Sequence, residues 1–508
     1  MKRLCLLGVL VFIYIGCSTQ IPTLEENAKQ THIPESFRNL ESLKKPTQRV
    51  DSVKAENTTK NKTSKDKEEP FSLEQFVALV NDKDLHTILH IALEKNTNVL
   101  TMISRIKQAK SQVKINTASM LPTINAGLNS SYIDNRTLSQ STIVRPGANS
   151  INASLSMSWE LDLFGKLNAL RQSSKKSYLQ AQSNLAYAQI SLIAEVATLY
   201  FTLRDNAHSV KIAKATLENL QQIEQINTDR FRIGLIDINA YQSIVANTRT
   251  QKNNYESLLY TFEQNQNALL TLLNIPLEEL KQKINFLDSK EYEFPQIRAF
   301  YVDKMPSDVL LSRPDIQANI YALHAQLYKQ TNANAARLPT ISLSGSIGDI
   351  LYSTSGNSVG SIVFQIANSI ATPLLNRTSL KQNYLIQKEL SNEAFYTLQN
   401  SINIALGEVE NALFDVQSKK RQLQNTQDVY DIGLKAYKDN SAKSTRGLLD
   451  KNDFLGLENS YFSLQTQLFS AKTNEVLSVI TLFKALGGNL ALSSIDDTKE
   501  DTITREQQ

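Results

Sequence analysis

The sequence predicts a mainly α-helical chain that also carries two pairs of amphipathic β-strands. Three observations support this prediction. Residues 150–161 alternate apolar and polar without a break, long tracts without Gly or Pro carry helical spacing, and one succession of motifs occurs twice, 217 residues apart. The 508 residues include only 16 Gly and 12 Pro, so the composition favours long helices over a string of compact domains.

The alternating segment 150–161 has the pattern of a strand with two different faces. Its odd-numbered residues are apolar and include Trp159, the only Trp of the chain, whereas its even-numbered residues are Ser, Asn and Glu. A strand sends successive side chains to opposite faces, and about ten tilted residues are enough to cross a bilayer. An aromatic residue near one end suits a membrane interface. On this segment alone, a strand of a soluble sheet remains an alternative.

The N-terminus predicts export and lipidation. Lys2 and Arg3 precede a short apolar stretch at 4–15, which indicates a signal peptide over residues 1–16. Tyr14-Ile15-Gly16-Cys17 resembles a bacterial lipobox, so we expect Cys17 to carry the lipid, palmitate included. The only other cysteine, Cys5, lies inside the signal, so the exported protein has no disulfide. Residues 17–70 are polar and charged and predict a lipidated linker; 491–508 predict a disordered tail.

The first half of the body, 71–304, predicts a helix, two strands and a long helical hairpin. The helical tract at 71–121 ends before Pro122, and strands are expected near 121–132 and 150–162, joined by a polar loop at 133–149. Residues 166–233 contain neither Gly nor Pro and predict about 100 Å of helix. Gly234 then turns the chain into a second helix over 235–275.

The second half, 305–490, predicts the same order of elements. Residues 96–99 match 313–316, and 121–124 match 338–341, at the same offset of 217. Strands are expected near 339–350 and 359–373, with a Ser/Gly loop at 353–361 between them. A long helical tract follows from Arg377, with a tip at 443–450 and a returning helix. Arg313 and Asp315 are expected to fix the start of the first helix of this half.

Four amphipathic strands cannot seal themselves in a membrane. An open edge would leave unpaired backbone groups in hydrocarbon at several kcal/mol each. Bacterial barrels have even strand numbers starting at eight. The strands are therefore either soluble or completed by further copies of the chain, and the signal, the lipid anchor and the hydroxyl-rich faces favour completion by copies.

Across nearly all of residues 71–488 the sequence resembles the TolC/OprM family of outer-membrane factors. The matching segments are LSRPDI at 311–316, AARLPTISLSG at 335–345, DLFGK at 162–166 and RFRIGLID at 230–237. The resemblance implies a homotrimer whose outer-membrane β-barrel, four strands per protomer and twelve in total, continues into a long α-helical periplasmic barrel built from two internal repeats. It also implies a Gram-negative outer membrane, contact with its lipid, and a periplasmic adaptor with an inner-membrane pump of the resistance-nodulation-division type.

The resemblance places function in an aperture and in the helical tips rather than in a catalytic group. Its members carry acidic residues six or nine places after the second tip glycine. Here Asp453 occupies the sixth place and Gly456 the ninth, so Asp453 is the predicted gate residue, with Asp450 as a possible substitute. The predicted adaptor-docking tips comprise Arg230, Arg232, Gly234, Arg446 and Gly447. Helix capping is the alternative role for the tips, and a solvated surface position is the alternative for Asp453.

Other function classes receive little support. The 54 basic and 50 acidic residues are too balanced to indicate a nucleic-acid partner, and we expect no cofactor and no enzymatic activity. His86 and His90 lie four residues apart, but no third ligand is near in sequence, so we predict a surface pair and no metal.

The leading function is a passive conduit that exports drugs or other toxic small molecules in a tripartite efflux system. A type I protein-secretion conduit is an alternative. A lipid-anchored coiled-coil scaffold is an alternative of a different class, but it gives the duplicated strand pairs no role.

Overall fold

A computed structural model describes most of the predicted body of the chain. The described residues are 76–77, 80, 82–134, 137–139, 142–144, 147–284, 286, 292, 294–295, 300–301, 306–354, 357–373, 375–488 and 491–492. The signal peptide at 1–16, Cys17 and the linker at 17–70 therefore lie outside the described residues. Ala491 and Leu492, the first residues of the predicted tail, form a strand.

Helices make up most of the described residues. Their bounds are α1 Lys83–Lys95, α2 Thr97–Ala118, α3 Lys166–Arg232, α4 Ile238–Leu273, α5 Leu277–Lys283, α6 Pro306–Ser312, α7 Pro314–Ala335, α8 Arg377–Thr445 and α9 Lys451–Ala485. α3 has 67 residues and α8 has 69, so each is about 100 Å long. The sequence predicts both tracts, because α3 contains neither Gly nor Pro and α8 contains only two glycines and no proline.

The tract at 71–121 is interrupted at Asn96, where the sequence predicts continuous helix. The Asn96 backbone is extended, with φ −64° and ψ 124°. Its side-chain oxygen accepts hydrogen bonds from the backbone N–H groups of Asn98 and Val99, at 2.9 and 3.2 Å. Asn96 therefore ends α1 and caps the N-terminus of α2, a role that asparagine favours.

The strands of the described residues are β1 Thr123–Asp134, β2 Thr137–Ser139, β3 Thr142–Val144, β4 Gly147–Leu161, β5 Phe300–Tyr301, β6 Thr340–Thr354, β7 Asn357–Ala371 and β8 Ala491–Leu492. The long strands form one antiparallel sheet in the order β1-β4-β6-β7. β2 pairs with β3, and β5 pairs with β8.

Two loop predictions are wrong in part. Most of the predicted polar loop at 133–149 is strand, because β1 continues to Asp134, β2 and β3 form a small hairpin, and β4 begins at Gly147. The predicted Ser/Gly loop at 353–361 likewise belongs mainly to β6 and β7. Polar and small residues give no alternating apolar signal, yet pairing in a hairpin still satisfies their backbone groups, so composition alone missed these extensions.

The chain divides into two compact units. Within the described residues, the first contains Ser104–Ser183 and Gln317–Ser401, and it holds the four-stranded sheet. The second contains the described residues up to Ile103, then Asn184–Ile316, and then those from Ile402 onward.

The core of the second unit consists of large apolar side chains. Tyr200, Phe201 and Ile193 of α3 are completely buried, and the rings of Phe76 and Phe483 lie 4.7 Å apart. Among the described helices, α3 alone is long and apolar enough, by length and composition, to cross a membrane. Because these α3 side chains form part of the core, we attribute its apolar stretch to packing within the protein.

Arg313 joins three helices of the second unit. This residue lies between α6 and α7 in the chain and is only 3% exposed. Its guanidinium donates hydrogen bonds to the Ala485 carbonyl, to Asp315 and to Glu408, at 2.8, 2.8 and 2.7 Å. Asp315 also accepts a hydrogen bond from the backbone N–H of Ile316. The geometry thus agrees with the predicted structural role, since this residue connects the start of α7 with α8 and the end of α9.

Candidate channel wall and hairpin tips

One face of the four-stranded sheet carries mainly hydroxyl and amide groups, with apolar exceptions such as Val363 and Ala367 of β7. Antiparallel partners share a face, and the register places Asn125 opposite Ser156, Ser156 opposite Ser346, and Ser346 opposite Gln365. The hydroxyls of Ser131 and Ser150 lie 2.7 Å apart. Among the described side chains of this face, Glu160 alone is charged, and it forms an ion pair with Lys166. We call this face the polar wall.

The opposite face is apolar. The same register aligns Ala126, Leu155, Ile347 and Phe364 across all four strands. Many of these side chains are exposed, for example Leu128 at 75% and Ile362 at 78%. Among the described side chains of this face, Asp349 is the only charged one, opposite Ala153 and Ile362, while Ser130 and Asn368 are polar.

Side-chain hydrogen bonds connect the end of β4 to the segment after α2 and fix the start of α3. Trp159 donates its indole N–H to the Met120 carbonyl at 2.9 Å, so this apolar-face residue has its one polar atom satisfied. The Asp162 carboxylate accepts from the backbone N–H groups of Leu167 and Asn168, at 2.9 and 2.7 Å. Asp162 therefore satisfies two of the free N–H groups at the start of α3.

The two hairpin tips have the same local geometry. Gly234 has φ +75° and Gly447 has φ +73°, the left-handed conformation that ends a helix and suits glycine. After each glycine an aspartate caps the returning helix: Asp237 accepts from the Ala240 N–H, and Asp450 accepts from the Asn452 N–H. Glycine and aspartate thus account for the turn at both tips, and the capping role considered for these segments is present.

Two predicted site residues meet between the tips. The Arg230 guanidinium lies 3.0 Å from the Asp450 carboxylate, with the two side chains 34% and 48% exposed. One turn away, the Asn227 amide donates to the Asn452 side-chain oxygen at 2.8 Å. The structure therefore pairs a predicted docking residue of the first tip with a predicted gate residue of the second.

The remaining predicted residues of the tips are exposed. Arg232 is paired on its own helix with Asp229 at 3.4 Å, and Arg446 and Asp453 face solvent. Apolar side chains beside the tip glycines are also exposed: Ile233 at 73%, Leu235 at 69% and Leu448 at 73%. Each tip thus presents an apolar residue beside an arginine.

Sequence reasoning missed a second polar connection between the hairpins. Glu458 accepts hydrogen bonds from the Tyr437 hydroxyl at 3.0 Å and from the Asn219 amide at 2.9 Å. The ring of Tyr437 stacks on that of Tyr461 at 4.3 Å. Asn219 and Glu458 are 239 residues apart in the sequence, and no local sequence pattern predicts such a contact.

A partly buried histidine of α3 contacts α9. The ring of His208 stacks on Phe469 at 4.1 Å, and its Nε2 atom is buried without a hydrogen-bond partner among the described residues. Burial, together with the charge of Lys211, lowers the pKa of His208 to about 4. The imidazole is therefore neutral at pH 7.

Comparison with known proteins identifies the class of the chain. The sequence model of the outer membrane efflux protein family matches residues 88–274 and 305–488. These two matches cover most of the chain, including both hairpins and the four-stranded sheet. The chain therefore belongs to the outer membrane efflux protein family.

Individual relatives agree with this assignment. The chain is 27% identical over 417 residues to the toluene efflux pump outer membrane protein TtgF of Pseudomonas putida, covering 80% of this chain and 84% of TtgF. It is also 27% identical over 424 residues to the antibiotic efflux pump outer membrane protein ArpC of Pseudomonas putida, with the same coverage. The solved CmeC outer membrane channel of Campylobacter jejuni has the same fold, with a TM-score of 0.70, 21% identity and coverage of 89% of this chain and 97% of that one.

The pKa of His208 predicts an acid-sensitive stability. The folded-state pKa of about 4 lies below the ordinary 6.5. The neutral imidazole therefore contributes fully to the free energy of unfolding above pH 6.5, and this contribution is lost as the pH falls towards 4. At pH 5 the loss should be about 2 kcal/mol. We expect His208→Leu to reduce the fall in melting temperature between pH 7.5 and pH 5, followed by helical circular dichroism. An unchanged pH dependence would show that other groups cause the acid sensitivity.

Proposed function

We propose that this protein is the outer-membrane conduit of a tripartite efflux system. Three copies assemble into a passive channel that exports toxic small molecules, among them antibiotics and organic solvents. A periplasmic adaptor and a resistance-nodulation-division pump of the inner membrane deliver the cargo. The observation that carries the proposal is the four-stranded sheet, which has one apolar face, one polar face on which Glu160 is the only charged described side chain, and two edge strands.

The sheet edges support assembly from several copies. Among the described strands, β1 and β7 each have a hydrogen-bonded neighbour on one side only, and they have 12 and 15 residues. In hydrocarbon those free backbone groups would cost several kcal/mol each. Pairing β7 of one copy with β1 of the next satisfies them, and three copies then close a twelve-stranded barrel. The apolar face lies against lipid and the polar wall lines the lumen.

An exposed apolar stripe on α8 supports the same assembly. Large apolar residues of α8 are exposed at positions that fall within a sector of about 140° when each residue turns the helix by about 100°. They are Leu385, Ile386, Leu390, Tyr396, Ile404, Phe414, Val429 and Ile432. α3, described along its whole length, has none exposed to that degree. A neighbouring copy would cover the α8 stripe in the helical barrel.

The matching elements support two internal repeats, one in each half of the body. α2 and α7 both have 22 residues and begin 217 residues apart. α4 and α9 have 36 and 35 residues, and each follows a tip glycine with positive φ. We assign the halves to 71–304 and 305–490, and place the chain in the outer membrane of a Gram-negative bacterium with a lipid on Cys17.

The tips provide the closed end and the docking surface of this conduit. The Arg230–Asp450 pair holds the two hairpins of one copy together, and three copies place three such pairs around one axis. Asp453, exposed one turn into α9, lines the aperture. Arg232, Arg446 and the apolar residues next to Gly234 and Gly447 remain available to the adaptor.

Substitution on adjacent residues of β4 tests which face meets lipid. Ser154 lies on the polar wall and Leu155 on the apolar face. Ser154→Lys should still yield a folded channel, with ion selectivity shifted towards anions in planar bilayers. Leu155→Lys should reduce folding into bilayers by about 2–4 kcal/mol, because a charge near the membrane midplane is costly. If both variants fold equally well and neither changes selectivity, the sheet is not a membrane wall.

The tip pair predicts a charge-dependent closed state. An exposed ion pair contributes about 0.5 kcal/mol, so three pairs favour closure by about 1.5 kcal/mol, roughly tenfold. We expect Arg230→Gln or Asp450→Asn to raise resting conductance by up to that factor, and asparagine at 450 can still cap α9.

Arg232→Gln serves as the matched control, because this arginine pairs within its own helix. It should leave resting conductance unchanged and weaken crosslinking to the adaptor. Asp453→Asn should also raise resting conductance. If all of these variants conduct like the wild type, neither Asp450 nor Asp453 forms the gate.

A further inference from the structure

α1 presents two imidazoles side by side on its surface. The Nε2 atoms of His86 and His90 lie 3.1 Å apart, and the ring centroids are 4.5 Å apart with nearly perpendicular planes. His90 is exposed and His86 is partly exposed. Residues four apart lie on the same side of a helix, so the backbone holds the two rings one turn apart.

The opposite side of α1 is fixed to the protein. Leu85, Ile88, Leu89 and Ala92 are buried in the core of the second unit. At the N-terminus, Asp82 caps the helix and also accepts hydrogen bonds from the hydroxyls of two tyrosines, at 2.9 and 2.7 Å. Since the helix cannot turn, the histidine pair faces outward in a defined position.

The distance between the two nitrogens matches that of a shared metal ion. A divalent transition metal binds imidazole nitrogen at about 2.0–2.1 Å. Two such ligands at a tetrahedral or right angle are therefore about 2.8–3.4 Å apart. The observed separation of 3.1 Å lies within this range. Small rotations of the rings direct both Nε2 lone pairs to one point.

The sequence alone favours a surface pair without metal, but on the observed separation we propose that His86 and His90 form a two-histidine site for a divalent transition-metal ion, with Cu²⁺ bound more tightly than Ni²⁺ or Zn²⁺. Imidazole suits all three metals, and the usual order of affinity places Cu²⁺ first. Within the part of the chain that the structure describes, no cluster of three or more His, Cys, Asp or Glu residues is placed to hold a metal. Water therefore completes the coordination, and the ion exchanges readily. The site does not depend on the conduit function.

Copper titration of the full-length, untagged protein in detergent tests the site. Electron paramagnetic resonance should detect one Cu²⁺ with two nitrogen ligands per chain. His86→Ala and His90→Ala should each remove this signal, while the helical circular dichroism stays unchanged because the substitutions lie on the helix surface. Thr87→Ala, next to the pair on the same helix, should bind copper like the wild type.

Moving the second histidine separates a chelate from chance binding. His86→Ala combined with Glu94→His again places two imidazoles four residues apart and should restore the signal. His90→Ala combined with Glu94→His keeps the number of histidines but places them eight apart, about 12 Å along the axis, and should not. Equal copper binding by the eight-apart variant would indicate an adventitious ion only. A wild type that binds no more copper than His86→Ala would overturn the proposal.

Discussion

The pairing of backbone groups at the sheet edges is the constraint on which the rest of the structure depends. Four strands with an apolar face and a hydroxyl face form a complete ladder among themselves, but β1 and β7 end that ladder. In water such edges could be solvated, whereas in hydrocarbon they cannot. Whether the sheet is stable alone or only as a segment of a larger barrel therefore depends on whether water or lipid surrounds it. The exposed apolar face favours lipid.

The two long helices also differ in how much apolar surface they leave exposed. α3 covers its own large apolar residues within the chain, whereas α8 leaves a stripe of them exposed. The difference between these two helices of nearly equal length supports the proposal that another copy covers the α8 stripe. At the far ends of these helices, glycine turns and aspartate caps bring Arg230 and Asp450 together. A capping aspartate that also forms an ion pair links the geometry of one tip to the position of the other.

Local patterns predicted the parts of the fold that local physics determines. The alternation at 150–161 located β4, the tract free of Gly and Pro located α3, and Gly234 and Gly447 located the tips. The extensions of the sheet at 133–149 and 353–361 are not predicted, because serine, glycine and asparagine give no alternation of apolar and polar residues. Only pairing with a partner strand makes these segments strands. The contacts of Arg230 with Asp450 and of Asn219 with Glu458 join residues more than 200 positions apart. No pattern within one segment contains that information.

Disulfide crosslinking between the sheet edges in native membranes tests the assembly most directly. In a Cys17→Ser background, Asn129→Cys on β1 would be combined in turn with Ser361→Cys, Gln365→Cys or Ser369→Cys on β7, all on the polar wall. Ser131→Cys with Ser150→Cys, whose strands pair within one chain, serves as the intrachain control. The account predicts that at least one β1–β7 combination gives covalent trimers on oxidation. Monomers alone from every combination, with the control pair oxidised, would contradict it.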